Sequence, residues 1–172
     1  MISEVLVIIG SSRRDSDTRK FVQNCFGRKE HTIIDLLDYR LEEYNYDHNY
    51  SADDQFSEVL ETMLSRDVIV FATPVYWYAM SARMKIMFDR FNDCLTIRKE
   101  LGRKLRGKKI AMLSVGTDLE IPEGFEVPFS RTADYLGMKY VGGVYFSSAE
   151  DFGTKAHIAA KAEFVRKIET AK

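Results

Sequence analysis

Cysteine is scarce in this chain, which has two, Cys25 and Cys94, among 172 residues. They are too few and too far apart for the ligand spacing of a zinc or iron–sulfur site. Both fall among apolar residues at helical spacing, so we expect buried free thiols rather than a disulfide. The three histidines, His31, His48 and His157, show no metal-ligand spacing either. No metal site is therefore predicted.

Long apolar runs are also missing. No stretch approaches the roughly 20 residues of a membrane-spanning helix. The short apolar stretch near the start has no basic segment before it and no small-residue cleavage pattern after it. We therefore expect no signal peptide, no membrane association and a cytoplasmic protein. The net charge of −1 gives no global attraction to nucleic acid, so no nucleic-acid partner is expected.

The charge is nevertheless unevenly distributed. Residues 30–62 carry ten acidic residues and one Arg, whereas residues 83–109 carry ten Lys or Arg and three acidic residues. Two solvated helical faces would explain this pattern. The alternative is a pair of complementary surfaces for self-association, in which case the partner is a second copy in a homodimer.

Four short apolar runs are rich in β-branched or large residues and lack polar alternation, as is typical of parallel strands buried on both faces. They are Val5–Ile9, Val68–Ala72, Ile110–Val115 and Val141–Phe146, and a weaker fifth run is His31–Asp35. Stretches with helical periodicity lie between them. The clearest is the stripe of Met84, Met87, Phe88, Phe91 and Leu95. No internal repeat and no linker rich in Pro or Gly interrupts the pattern, so we expect one domain over residues 1–172.

This alternation predicts a doubly wound α/β fold, with helices on both faces of a five-stranded parallel sheet. Neither a G-x-G-x-x-G fingerprint nor a G-x-x-x-x-G-K-[ST] loop is present, because Gly10 is followed by Ser-Ser-Arg-Arg. With five strands, the flavodoxin-like order 2-1-3-4-5 is favoured. Ligands of that fold bind where strands one and three end. The loops at residues 10–18 and 73–81 should therefore meet.

The first loop, residues 10–18, reads G-S-S-R-R-D-S-D-T and runs into a predicted helix. Exposed amides at a helix N-terminus, together with hydroxyls and a guanidinium, suit a phosphate dianion. The candidate ligands are Ser11, Arg13, Ser16 and Thr18, with Asp17 contributing only its backbone amide. The alternative is an ordinary polar loop whose Ser and Asp side chains cap the helix.

The second loop, residues 73–81, reads T-P-V-Y-W-Y-A-M-S. Three consecutive aromatic residues cannot share one face of a helix or a strand, so some must line a concavity or meet another chain. A flat ring ligand would explain them, with backbone amides for its polar edge and aromatic surface for its face. Packing against a neighbouring loop or a dimer partner is the alternative.

These two segments resemble the NAD(P)H-dependent FMN reductase-like flavoproteins, a family of flavodoxin-like fold that includes quinone reductases. G-S-S-R-R-D-S-D-T-R is close to the family's G-S-x-R-x-x-S-x-T. T-P-V-Y-W-Y-A-M-S-A-R-M-K-I-M-F-D-R is close to its P-x-Y-x-x-x-M-x-A-x-x-K-x-x-x-D-R. The resemblance implies that the first-loop candidates hold the phosphate of FMN. It also implies that the ribityl chain and the isoalloxazine follow Pro74, Val75, Tyr76 and Trp77.

Two features depart from the family's pattern. Asp17 stands where the family usually has Asn or another neutral residue. After the fourth strand this chain has S-V-G-T-D at residues 114–118, where a Gly-rich turn is common. Gly116 and Thr117 could donate amides to the pyrimidine side of a flavin, but a plain turn fits the sequence equally well.

The resemblance implies an enzyme that passes hydride from NAD(P)H through bound FMN to a quinone, a flavin or a similar aromatic acceptor. The cofactor supplies the redox chemistry, so no acid–base pair is required and no catalytic side chain is assigned. One alternative is a flavodoxin-type electron carrier, against which the small net charge and Arg13 argue. The other is a non-enzymatic interaction module, because fold does not fix function.

A Tyr-rich acidic segment, residues 39–50, follows the second predicted strand. It could form a wall of the substrate site or contact a partner chain. A mostly solvated loop is the favoured interpretation, since functional and ordinary loops have similar compositions.

Overall fold

The computed structural model describes residues 5–27 and 32–170. The strands are β1 (Val5–Ile9), β2 (Thr32–Asp35), β3 (Val68–Tyr76), β4 (Ala79–Met80), β5 (Lys109–Gly116) and β6 (Lys139–Ser147). Five of them form a parallel sheet in the order β2-β1-β3-β5-β6, and the two-residue β4 pairs antiparallel with the end of β3. Counted without β4, this is the predicted order 2-1-3-4-5. The flavodoxin-like fold is confirmed, while His31 of the weak fifth run lies outside the described residues.

The helices cover the sheet on both faces. They are α1 (Asp17–Phe26), α2 (Phe56–Leu64), α3 (Ala82–Asp89), α4 (Lys99–Lys104), α5 (Val127–Leu136) and α6 (Lys155–Thr170). One core contains apolar residues of α1 and α6, and the other contains those of α2, α3 and α5. Successive residues of β1 enter the two cores in alternation, which explains why the strands show no polar alternation. Within the described part of the chain, no helix is long and apolar enough to cross a membrane.

β3 is longer than predicted. The sequence indicates a strand that stops at Ala72, but the structure continues it to Tyr76. Pro74 is accommodated because the pairing of β3 with β1 stops at Ala72, while pairing with β5 continues to Pro74 opposite Val115. A proline is tolerated in a strand where its missing N–H has no partner strand to serve.

The predicted apolar helix stripe also changes at its end. α3 stops at Asp89, and residues Arg90–Leu95 form a 3-10 helix. Leu95 is 38% exposed, whereas Met84 and Phe91 of the same stripe are buried. The tighter winding of the 3-10 helix changes the angular position of each following side chain.

Arg90 is the largest fully buried polar side chain of the described structure, at 1% exposure. Its Nη1 and Nη2 donate to the two carboxylate oxygens of Asp54 at 2.8 and 2.9 Å, and its Nε donates to Asp93 at 2.9 Å. The guanidinium lies between the rings of Tyr50 and Phe56, 3.6 and 4.6 Å from their centroids. Burial alone would raise the pKa of Asp54, but the hydrogen bonds and charge of Arg90 outweigh burial and lower it.

This cluster fixes the Tyr-rich segment to the fold. Arg90 Nη1 also donates to the backbone carbonyl of Glu42 at 3.0 Å, and Asp93 accepts hydrogen bonds from Tyr50 Oη at 3.0 Å. His48 Nδ1 lies 3.1 Å from the same carboxylate oxygen. The acidic region therefore meets a cation of the basic region inside one chain, and the segment is not simply a solvated loop.

Both cysteines are free, as predicted; Cys94 is buried and Cys25 is partly buried. Burial raises the pKa of Cys25 to about 12 and that of Cys94 to about 11. Both thiols therefore stay protonated and weakly nucleophilic at neutral pH.

Replacing Arg90 by Ala should lower the free energy of unfolding by about 3–5 kcal/mol, because two buried carboxylates lose their cation. Urea unfolding followed by circular dichroism measures this change. Lys85→Ala is the matched control, since its partner Asp89 is exposed and the 2.5 Å pair lies on the surface of α3. The control should cost less than about 1 kcal/mol, and equal losses would contradict a special role for Arg90.

Candidate functional site

The loops after β1 and β3 meet, as the predicted strand order requires. Gly10 N donates to Ala72 O at 2.8 Å, and Ser81 Oγ donates to Gly10 O. Ser81 also caps α3 by accepting from Met84 N at 3.2 Å. A Cβ at Gly10 would lie 2.9 Å from Met84 Cβ and 3.1 Å from Met84 N, so α3 can begin this close to β1 only because residue 10 is glycine.

The first loop presents hydrogen-bond donors. In the described chain, none of the backbone amides of residues 11–18 donates a hydrogen bond. The Ser11 hydroxyl is buried without a partner, and Thr18, in the first turn of α1, is also buried. Ser16 caps α1, with its Oγ accepting from Arg19 N at 3.2 Å. Free amides at a helix N-terminus and an unsatisfied buried hydroxyl suit an anion such as a phosphate.

The acidic residues of this loop do not oppose an anion strongly. Asp15 has a 92% exposed side chain, so it points into solvent. Asp17 lies 3.2 Å from Lys20 and 3.8 Å from Arg13. Arg14 is hydrogen-bonded to Asp38, and this interaction lowers the pKa of Asp38. The ion pair of Arg13 with Asp17 is long, at 3.8 Å, whereas Arg14 is hydrogen-bonded to Asp38, so Arg13 is the freer of the loop's two arginines to bind an anion.

The second loop is a tight hairpin. β3 and β4 pair Val75 with Met80 and Tyr76 with Ala79, leaving Trp77 and Tyr78 as a two-residue turn with φ of 49° and 63°. Residues other than glycine rarely adopt this left-handed backbone conformation, which costs of order 1–3 kcal/mol at each residue. Trp77 is 93% exposed and Tyr78 is 70% exposed. Their rings therefore do not pack on a neighbouring loop and remain open to a ligand or another chain.

The third loop, after β5, lies beside this hairpin. A surface pocket is lined by Val75, Trp77, Tyr78, Gly116, Thr117, Asp118 and Tyr145. Below it, Ser114 pairs with Thr73 across the sheet, and its buried hydroxyl has no partner. Burial and the charge of Asp118 raise the pKa of Tyr145, so its hydroxyl stays protonated. A pocket with apolar rings and free polar groups can hold a flat ring with a polar edge.

The sequence-predicted residues fall into two neighbouring groups. Residues 11–18 surround the end of β1, while Val75, Trp77, Gly116 and Thr117 line the pocket at the ends of β3 and β5. Pro74 and Tyr76 lie in the sheet and the hairpin beside that pocket. One to two strand spacings separate the groups, roughly 5–10 Å, a distance that an extended phosphorylated chain can bridge. The arrangement therefore fits a mononucleotide with a planar ring.

Three pocket residues, Tyr78, Asp118 and Tyr145, were not among the predicted site residues. Tyr145 could have been predicted from the strand order, because that order places the end of the last strand, where Tyr145 lies, beside the end of the fourth. Nothing in the described ranges groups three or more His, Cys, Asp or Glu residues as a metal site.

The family model described as NADPH-dependent FMN reductase matches residues 3–153. The curated Bacillus subtilis protein YwqN, whose name describes an NAD(P)H-dependent FMN-containing oxidoreductase, is 26% identical over 95 residues. That match covers 53% of this chain and 52% of the relative, so the chain spans about half the length of the curated relative it matches.

Solved structures show the same fold. The Trp repressor binding protein from Bacillus subtilis superposes with a TM-score of 0.73 at 20% identity, covering 95% of this chain and 99% of that one. An FMN-dependent NADH-azoreductase from Bacillus anthracis, solved in complex with FMN, gives a TM-score of 0.68 at 13% identity, covering 99% and 100%. At these identities the likeness is one of fold.

Proposed function

Since the chain belongs to the NADPH-dependent FMN reductase family, we propose that it is an FMN-dependent oxidoreductase acting from NAD(P)H on a small-molecule acceptor. The acceptor is a quinone, a flavin or a similar aromatic. The observation that supports the proposal is the junction at Gly10, which joins the loop of free amides to Ala72 and Ser81 on either side of the exposed aromatic hairpin. Residues 1–172 act as a single flavin-binding domain, and the two free thiols agree with a cytoplasmic location.

The two groups of site residues bind different parts of the cofactor. Ser11, Arg13, Ser16 and Thr18, with the amide of Asp17, hold the FMN phosphate. Pro74, Val75, Tyr76 and Trp77 follow the ribityl chain and the ring, and Gly116 and Thr117 donate amides to the pyrimidine side. When bound, FMN supplies the hydride chemistry, while these residues bind it and orient it.

The exposed hairpin favours an enzyme over an electron carrier. Hydride transfer requires the nicotinamide to approach the reacting ring to about 3–3.5 Å, so one face of the ring must stay accessible. Trp77 and Tyr78 leave the pocket open on the solvent side. An electron carrier requires only an exposed edge of the ring.

The same hairpin supports a homodimer. Trp77, Tyr78 and Tyr76 form an exposed aromatic run at 93%, 70% and 44% exposure, next to the α3 helix. Aromatic residues are enriched where protein chains associate.

Sedimentation velocity at micromolar concentration should show a particle of twice 19.9 kDa. A monomer alone would contradict the dimer without affecting the proposed chemistry.

Anaerobic NAD(P)H should bleach the bound FMN within seconds to minutes, and a small quinone should restore the absorbance. Trp77→Ala should slow this turnover more than it weakens FMN binding, because the first loop is untouched. Absorbance spectroscopy measures both effects. A flavin that stays oxidised under excess NADH and NADPH, yet is reduced by dithionite, would favour the carrier.

Arg13→Ala should weaken FMN binding about 10- to 100-fold, since a hydrogen bond to a charged group contributes roughly 1.5–3 kcal/mol. Riboflavin, which lacks the phosphate, should bind the variant almost as it binds the parent. Isothermal titration with both ligands makes the comparison, and equal losses would remove Arg13 from the phosphate site.

A further inference from the structure

The carboxyl end of β6 hydrogen-bonds to three consecutive carbonyls of the third loop. Gly116 O accepts from Ser148 N at 2.7 Å and from Ser148 Oγ at 3.1 Å. Thr117 O accepts a longer bond from Ser147 Oγ at 3.4 Å, and Asp118 O accepts from Tyr145 Oη at 2.7 Å. All three carbonyls therefore face groups carried by β6 or by the residue after it.

These carbonyl directions determine where the amides of the loop point. In a planar trans peptide, the C=O and the following N–H point in opposite directions. The N–H groups of Thr117, Asp118 and Leu119 are thus directed away from the groups that the preceding carbonyls contact. β5 lies between β6 and β3, and residues 116–118 line the same pocket as Val75, Trp77 and Tyr78 of the hairpin. In residues 32–170, none of these three amides donates a hydrogen bond.

Tyr145 makes the shortest of the side-chain hydrogen bonds to these carbonyls, at 2.7 Å. Its hydroxyl lies over Gly116, where an added Cβ would be 2.6 Å from the oxygen. Glycine at position 116 therefore leaves the space through which Tyr145 reaches Asp118 O. Burial and the charge of Asp118 raise the pKa of Tyr145, so the hydroxyl keeps the proton that it donates to that carbonyl.

We propose that Tyr145 is a positioning residue that, together with Ser147 and Ser148, directs the amides of residues 117–119 at the pyrimidine edge of the flavin. This inference rests on the proposed function. Reduction adds negative charge to that edge of the ring, and oriented amides stabilise charge that develops there. Tyr145 therefore acts on flavin affinity and on the reduction potential, without contacting the reacting atoms.

Tyr145→Phe removes the hydroxyl alone and tests this role. The variant should bind FMN and riboflavin about 3- to 10-fold more weakly, since one net hydrogen bond contributes roughly 1 kcal/mol and both ligands share the ring. Reduced FMN should lose more affinity than oxidised FMN, so the midpoint potential of bound FMN should fall. Isothermal titration and dithionite titration against a reference dye give the two readouts.

Tyr140→Phe is the matched control. Tyr140 lies on the same strand and donates its hydroxyl to Glu126 at 2.7 Å, away from the third loop. The control should leave both flavin affinities and the midpoint potential unchanged. Thermal melting of the flavin-free variants checks that both are folded.

The outcomes are separable. If the parent protein binds FMN but Tyr145→Phe matches it in affinity and potential, the positioning role is wrong and the proposed function stands. If Tyr140→Phe shows the same losses, the effect belongs to β6 as a whole and the inference is overturned. If the parent binds neither flavin, the proposed function fails and this inference fails with it.

Discussion

The hydrogen bonds at Gly10 hold the site together. Gly10 is joined to β3 through Ala72 and to the start of α3 through Ser81, so the ends of two strands and a helix N-terminus share one residue. The absence of a side chain at this residue lets Met84 approach. The first loop, residues 10–18, leaves this junction in one direction, and the aromatic hairpin continues β3 in the other. Any displacement at Gly10 would change their spacing, on which a ligand spanning both depends.

The buried Arg90 cluster is a second constraint, with a different energetic character. A guanidinium at 1% exposure loses its hydration, and this loss is offset only if every charged partner is well placed. Asp54 and Asp93 accept from three of its nitrogens, and two rings cover its faces. Such a cluster adds little net stability compared with apolar packing, but removing one member leaves uncompensated charge. It therefore determines where the segment between β2 and α2 lies.

The sequence predicted the sheet well because its signal is local. Continuous apolar runs identified the strands, and their number, together with the missing nucleotide-binding fingerprints, favoured the strand order that places the two loops together. The contacts of Arg90 could not be predicted in this way, since Asp54 lies 36 positions earlier and periodicity carries no information on such pairs. The sequence predicts a loop over residues 73–81, where the structure has a hairpin, because a proline such as Pro74 is uncommon inside a strand. Its tolerance depends on β1 being shorter than β3, which is a property of the assembled sheet.

The turn at Trp77 and Tyr78 is the clearest local conflict between sequence and structure. Two-residue hairpin turns with positive φ at both positions favour Asn and Gly, which adopt that conformation at low cost. This chain places two large aromatic residues there and then leaves both rings exposed, so neither packing nor backbone preference explains them. Strain of this kind persists where the rest of the structure holds it, and it is concentrated at binding sites. The hairpin is held by its pairing with β4 and by Thr73 Oγ1, which accepts from Ser81 N at 3.0 Å. The turn is therefore fixed in a conformation that displays two aromatic rings beside free amides, which is what binding a planar aromatic ligand requires.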